Sequence, residues 1–279
     1  MIIPVLKKAC SNLGLKYQAI DSSGVFLRID LGGGRFHLCI ANNLGLNDEV
    51  TEKICRDKAY TYNLLSESVR MPHTESYVDS QSPALYESFS SFDSHEKIVA
   101  DILLHNTVPL ILKPNGKSMG VHVFFCSTKE AVTDAVSKIF NRDSYNYDHV
   151  LLVQEPIEIK SEYRVLVYDG EIQFLYRKDN TGCDVEFTGN LSPLHFANAR
   201  AVLIDPKEDS ELFEEITHFI KPIFEQMHLK YAGLDIARDT KGELCLFEIN
   251  SKPGFTYFIK DNGETKVIQM FQKILGDLV

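Results

Sequence analysis

Leu234–Phe255 reads LDIARDTKGELCLFEINSKPGF. Two apolar, strand-like runs meet at Thr240-Lys241, yet Asp235, Glu248 and Asn250 stand inside them, just before Pro253-Gly254. With Thr240-Lys241 as the turn, Asp239 pairs with Gly242 and Asp235 faces Leu246. Glu248 then lies diagonal to Asp235 on the same face, and Asn250 continues that face because alternate strand residues share a side. Neighbouring strands run roughly 4.8 Å apart, so the three side chains can converge on one cation. Three oxygen donors without histidine or cysteine suit Mg²⁺, which keeps waters and completes its shell from phosphates. The competing reading is a hydrogen-bonded polar patch beside a turn. Three such groups on one face of an apolar hairpin weigh against it.

Upstream, Glu162–Lys178 reads EYRVLVYDGEIQFLYRK, a hairpin about Asp169-Gly170. A two-residue Asp-Gly loop pairs Tyr168 with Glu171. Tyr163, Val165 and Val167 then meet Tyr176, Phe174 and Ile172 on a core face. Glu162, Arg164 and Arg177 share the other face, with Glu162 opposite Arg177. A solvated outer face is the usual reading of such charges, but Leu166 and Leu175 join them there, which suits a cleft with a polar and an apolar end.

Leu110–Phe125, LILKPNGKSMGVHVFF, ends an apolar strand near Lys113 and enters a second strand through a short glycine-containing loop. Such a loop presents backbone N–H groups and Ser118 to phosphate oxygens, and Lys113 adds a point charge. It is not a Walker loop, because G-x-x-x-x-G-K-[ST] is missing and a strand rather than a helix follows, and two glycines between strands are by themselves more often an ordinary hairpin than a nucleotide site.

The remainder bounds the class. Across 279 residues, 29 basic against 39 acidic side chains give a net charge of −10, which disfavours nucleic acid held through its phosphates. No apolar run approaches membrane-spanning length, and MIIPVLKKAC at the amino terminus lacks the apolar core of a signal peptide. The six cysteines (Cys10, Cys39, Cys55, Cys126, Cys183, Cys245) show neither C-x-x-C nor metal-ligand spacing. They read as reduced, mostly buried thiols of a cytoplasmic protein.

Residues 1–93 form a small amino-terminal α+β unit with a linker. It comprises a helix over Pro4–Leu13, a hairpin turning at Gly32-Gly33-Gly34, a helix from Asp57 that stops before Pro72, and a serine-rich loop from Ser80 to Asp93. From residue 94 hairpins dominate, with helices over TKEAVTDAVSKIF, Ser210–Met227 and Gly263–Leu275. The fold class is α+β, with largely antiparallel sheets and flanking helices.

Taken in order, Asp57-Lys58, LILKP with GKSMGV, VQEPI, EYRVLV, LD and FEINSKPGF resemble the ATP-grasp superfamily, from roughly Asp57 to Leu275. The small amino-terminal unit looks most like the ATP-grasp ligase domains of cyanophycin synthetases and bifunctional glutathione synthetases, and like ribosomal-protein glutamate ligases. GKSMGV and EINSKPGFT are similar to motifs of D-alanine–D-alanine ligases. The resemblance implies a lid-type ATP-binding subdomain over 94–155 and a metal- and acceptor-binding subdomain over 156–279.

It also implies roles. Lys58 and Lys113 would contact ATP phosphates, while the loop carrying Lys117, Ser118, Met119 and Gly120 closes over them. Gln154, Glu155, Pro156 and Ile157 would form the hinge that grips adenine, and Glu162 would bind ribose. Asp235, Glu248 and Asn250 would hold Mg²⁺, with Mn²⁺ as an alternative. Arg177, with Arg164 and Asn190, would face the transferring phosphate. Two positions depart from the family pattern: His122, where many relatives carry a loop glycine, and Lys252, where a small or hydrophobic residue is usual.

The implied activity is ATP-dependent, ADP-forming ligation of a carboxylate to an amine through an acyl-phosphate, on an amino acid or peptide. Its alternatives are a nucleotide-binding module without ligase activity and a phosphotransferase using the same ATP site. The expected partners are small-molecule or peptide substrates bearing a carboxylate and an amine, not nucleic acid or membrane. A homodimer is compatible with the resemblance.

Overall fold

Among the described residues three sheets form, each antiparallel throughout; one buried apolar cluster is shared by the first and third sheets, a second covers the other face of the third, and another lies against the second. The structure is a computed structural model that describes residues 2–82, 89–118, 120–179 and 199–279. Helix α1 (Ile3–Asn12) precedes a three-stranded sheet of β1 (Tyr17–Ala19), β2 (Phe26–Gly32) and β3 (Arg35–Ile40). At its β2–β3 turn Gly32, Gly33 and Gly34 have φ of 80°, 60° and 80°, a left-handed run that side chains resist. The triplet makes a turn.

Two helices follow, α2 (Glu49–Arg56) and α3 (Lys58–Leu65), each opened by an aspartate. Asp48 accepts from Thr51 N at 2.8 Å and Asp57 from Tyr60 N at 3.0 Å, satisfying helix-end donors. The second sheet has the order β4-β7-β5-β6, built from β4 (Thr74–Val78), β5 (Leu110–Pro114), β6 (Phe124–Cys126) and β7 (Val150–Gln154). Helices α4 (His95–His105) and α5 (Lys129–Ile139) share its apolar cluster. Strand β4 lies upstream of residue 94, inside the stretch that the sequence assigns to the amino-terminal unit, yet it pairs with β7 from Thr74↔Gln154 to Val78↔Val150. The boundary at 93/94 therefore cuts this sheet.

The third sheet has the order β10-β9-β8-β11-β12, from β8 (Ile159–Tyr168), β9 (Glu171–Asp179), β10 (Arg200–Leu203), β11 (Tyr231–Asp239) and β12 (Leu244–Asn250). Both faces are covered. Leu166, Phe174, Tyr176 and Tyr231 pack with α1 and with the carboxy-terminal helices α7 (Thr256–Asn262) and α8 (Thr265–Leu278). Val165, Leu175, Leu234 and Ile236 pack under α6 (Ser210–Gln226). A strand covered on both sides needs apolar residues at successive positions, and in β11 every residue but Arg238 is buried. Gly263, at φ 73°, ends α7, a helix the sequence reading does not expect, and separates it from α8, which falls on the helix expected over Gly263–Leu275.

Bulges correct the registers read from the sequence. Tyr168 does pair with Glu171, but a bulge between Leu166 and Val167 shifts the rest by one residue. Arg164 then faces Tyr176, Glu162 faces Lys178, and Arg177 pairs with Tyr163. A one-residue shift sends a side chain to the other face, so Arg177 leaves the charged face and Lys178 replaces it. In the β11–β12 hairpin the turn is longer, closed by Asp239 N donating to Glu243 O at 3.0 Å, and a bulge follows at Asp235/Ile236. These two one-residue offsets preserve the face. They set Glu248 directly opposite Asp235, not diagonal to it.

Cys10, Cys39, Cys55, Cys126 and Cys245 are buried free thiols, and Cys183 lies outside the described residues. Among the described residues no helix is long and apolar enough to cross a membrane.

Candidate active site

Asp235 is the centre of the site, and it is only 7% exposed. Strand pairing sets Arg164 beside it on β8 and Glu248 beside it on β12. Arg164 binds it as a fork, Nε to Oδ1 at 2.7 Å and Nη2 to Oδ2 at 2.8 Å. Lys178 Nζ donates to the same Oδ1 at 2.9 Å and also to Glu162. Asn250 Nδ2 lies 3.4 Å from Oδ2. Burial alone would raise the Asp235 pKa, but Arg164 and then Lys178 outweigh it and hold the carboxyl below the ordinary aspartate value.

Glycine at 233 makes the Arg164 fork possible. A Cβ there would sit 3.0 Å from Pro253 Cβ and 3.1 Å from Arg164 Cδ, so any side chain would displace the guanidinium or the Pro253 turn. Sequence inspection passes over this residue, because the crowding comes from a neighbouring strand and a distant loop.

Glu248 lies across from Asp235, with Lys58 Nζ 3.6 Å from its Oε1. Lys58 follows the Asp57 cap of α3, and it also donates to Asn115 O at 3.2 Å and to Lys117 O at 2.7 Å. One lysine therefore ties the glycine-containing loop to the carboxylate hairpin. Lys113, on β5 beside that loop, has its pKa drawn down to about 8, first by burial and then by the charge of Lys58, with Glu248 acting the other way. The loop itself is braced: Asp148 accepts from Gly116 N at 2.7 Å, and Lys117 Nζ donates to Tyr145 O at 3.2 Å.

The structure brings Lys58, Lys113, Glu162, Arg164, Asp235, Glu248 and Asn250 into one connected set of charged and polar groups. Arg177 is not part of it; its guanidinium is half exposed and lies 3.8 Å from Asp179. Ser118 is exposed, and Gly120 has φ 70°. Met119 and Asn190 lie outside the described residues. In the hinge, Gln154 is buried and donates to Thr74 Oγ1 at 2.6 Å, so its side chain ties β7 to β4. Glu155 accepts from His73 N at 2.9 Å; Pro156 and Ile157 complete the connection between the second and third sheets.

Both departures now have a setting. His122 has φ 55°, the left-handed backbone that glycine adopts without strain, and its Nε2 accepts from Asn146 Nδ2 at 3.4 Å. Lys252 pairs with Glu52 of α2 at 2.7 Å. Lys178 is the residue that pattern reading misses. Its signal, a lysine next to the arginine in YRK, becomes decisive only once the bulge is known.

Among the described residues no three His, Cys, Asp or Glu side chains cluster to hold a metal ion. The oxygen set is instead two facing carboxylates, Asp235 and Glu248, with the Asn250 amide on the same face. That set fits a hard divalent cation whose remaining ligands are water and phosphate.

Residues 56–274 match a protein family described as the RimK-like ATP-grasp domain. A D-alanine–D-alanine ligase A of Bradyrhizobium diazoefficiens is 28% identical over 156 residues, which are 54% of this chain and 40% of that protein. The corresponding ligase of Haemophilus ducreyi is 23% identical over 161 residues, 57% and 49% of the two chains. The chain thus spans about half the length of the curated relatives it matches. Among solved structures, a Chryseobacterium gregarium RiPP-associated ATP-grasp ligase in complex with ADP and a leader and core peptide is similar. It gives a TM-score of 0.59 at 12% identity, with 99% of this chain and 93% of that one covered. A bifunctional glutathione synthetase from Pasteurella multocida gives 0.56 at 14% identity, covering 99% and 44%. These likenesses concern the fold.

Proposed function

We propose that this chain, which belongs to the RimK-like ATP-grasp family, is an ATP-dependent ligase that joins a carboxylate to an amine on an amino acid or peptide. The observation that carries the reading is the Asp235–Glu248–Asn250 face, set among Arg164, Lys178 and Lys58. A substrate carboxylate takes the γ-phosphoryl group of ATP, becoming an acyl-phosphate. The amine attacks its carbonyl carbon, the new C–N bond forms as the C–O bond to phosphate breaks, the amine's proton leaves with the departing phosphate or to solvent, and ADP and phosphate leave. Such chemistry needs positioning and charge neutralisation and no side-chain nucleophile.

Asp235, Glu248 and Asn250 would hold Mg²⁺ or Mn²⁺, which when bound neutralises charge on the phosphates. Lys58 and Lys113 supply further positive charge to the phosphates, and the loop at 115–120 covers them. The segment 154–157 offers its backbone to adenine, and Glu162 meets ribose. Arg164 would face the transferring group, and Lys178 takes the place beside it that the sequence reading gives to Arg177, which the bulge turns away.

A screen of amino acids and dipeptides for stimulated ADP release tests the reading. A ligase needs an acid and an amine together for full turnover. Turnover on a single acceptor would show a phosphotransferase, and nucleotide binding without turnover a non-catalytic module.

Lys113 gives a prediction with a pH signature. Phosphate attraction needs its ammonium form, so nucleotide affinity holds below about pH 8 and falls as pH rises through that value, by up to about tenfold per unit for one required proton. Stability of the nucleotide-free protein runs the other way. The folded pKa lies below the unfolded value of 10.5, so between about 8 and 10.5 the unfolded chain binds more protons and stability rises with pH. Lys113→Met removes both trends and weakens nucleotide binding with the fold retained. Calorimetry and melting across this range check it; unchanged affinity in the variant would remove Lys113 from the phosphate site.

A further inference from the structure

Asp235 has no oxygen to spare. Oδ1 accepts from Arg164 Nε at 2.7 Å and Lys178 Nζ at 2.9 Å, while Oδ2 accepts from Arg164 Nη2 at 2.8 Å and lies 3.4 Å from Asn250 Nδ2. A carboxylate offers about four acceptor directions, and here all four are used. Glu248 has Lys58 at 3.6 Å, and Glu162 has Lys178. The acidic side chains Asp235, Glu248 and Glu162 thus face an equal number of cations, Arg164, Lys178 and Lys58, with Lys113 close by. A bare divalent ion entering this cluster would meet a set that is already neutral. It would also have to break a bond to Asp235.

We propose that Lys178 is a positioning residue that acts as an internal counter-ion for Asp235, keeping the divalent cation out until the nucleotide's phosphates draw the lysine away. This rests on the reading of the site as one for ATP and a divalent cation. The phosphates supply the negative charge that the resting cluster lacks, so Lys178 exchanges Asp235 for a phosphate oxygen and leaves Oδ1 open. Arg164 is the less movable partner, since its fork makes two bonds and its stem lies over Gly233, where even a Cβ would come within 3.1 Å of its Cδ. Lys178 holds Asp235 by a single hydrogen bond from a flexible stem, with Glu162 as its second partner. Nucleotide and cation then bind with positive coupling, and each raises the other's affinity by the same factor.

Mn²⁺ is the probe, followed by water-proton relaxation enhancement, which responds when the ion tumbles with the protein. Without nucleotide the wild type is expected to show no specific Mn²⁺ site, and a site appears when β,γ-methylene-ATP is added. In Lys178→Met the nucleotide-free site is gained, with affinity at least about tenfold above wild type. Lys178→Arg, which restores the charge, returns the protein to wild-type behaviour. Equal Mn²⁺ affinity in wild type with and without the analogue overturns the proposal, as does a folded Lys178→Met that gains no site. The wild-type comparison can overturn the proposal even if the methionine variant does not fold, and Lys178→Gln then tests the lysine itself by the same gain of a nucleotide-free site. Binding of a fluorescent ADP analogue separates the two levels: no binding with or without Mn²⁺ sinks the ATP-site reading itself, whereas nucleotide bound independently of Mn²⁺ sinks the counter-ion role alone.

Discussion

Glu248→Gln is expected to abolish most of the proposed ligase turnover while leaving the fold in place. Glu248 is partly exposed at the end of β12, and its ion pair is Lys58 at 3.6 Å, so glutamine keeps the shape and loses only a loose, partly screened interaction. The expected loss of stability is under about 1 kcal/mol. Activity responds quite differently. The carboxylate faces Asp235 across the strand pair, and the proposed cation sits between triphosphate and these oxygens. Loss of one preorganised charge at a developing transition state costs on the order of 10²–10³ in rate. ADP release measured against Mg²⁺ concentration, beside a thermal melt, distinguishes the outcomes. A polar patch that merely closes the hairpin would give near-normal turnover with unchanged Mg²⁺ dependence.

Arg164→Met is expected to damage both stability and activity. The guanidinium supplies a two-point bond to a carboxylate that is almost wholly inaccessible to water. Breaking a buried ion pair from one side leaves an uncompensated charge and costs about 3–5 kcal/mol, with Lys178 keeping the value near the lower end. In a chain of this size that lowers Tm by roughly 6–12 °C.

The pH dependence identifies the cause. In the wild type the Asp235 pKa is held below its unfolded value, so its contribution is present above the ordinary aspartate range and lost as pH falls through the folded pKa. Without Arg164, burial raises the Asp235 pKa and the carboxyl protonates at a higher pH. The stability gap between wild type and variant is therefore widest near neutrality and narrows in acid. A gap independent of pH would mean that Arg164 matters through packing of its stem alone.

Much of the site could be read along the chain because strands impose a period of two. Asp235, Glu248 and Asn250 share a face whether the hairpin is taken with its simplest turn or with the observed turn and bulge, since the two offsets add to an even number. Lys58 and Lys113 are marked by their places, one after a capping aspartate and the other on a strand leading into a glycine-containing loop. The weaker local signals were less informative. Strands β1, β4 and β10 are three to five residues long and have no pattern that outweighs their surroundings. Helices α2 and α4 gain their stability partly by burying residues such as Thr51, Cys55, Ile98 and Ile102 against distant segments.

The sequence by itself determined the class of fold, the order of the motifs and the oxygen donors on the final hairpin, because alternation and turn chemistry act over a few residues. Tertiary structure decided which cation reaches those donors. The bulge at Leu166/Val167 turns Arg177 away and brings Lys178 to Asp235, an odd shift that no two-residue period reveals. It also decided the charge balance, since Arg164 reaches its fork only where Gly233 and Pro253 leave room, and Lys58 meets Glu248 only when α3 packs beside β12. Those effects come from elements far apart in the chain, brought together by packing on both faces of one sheet.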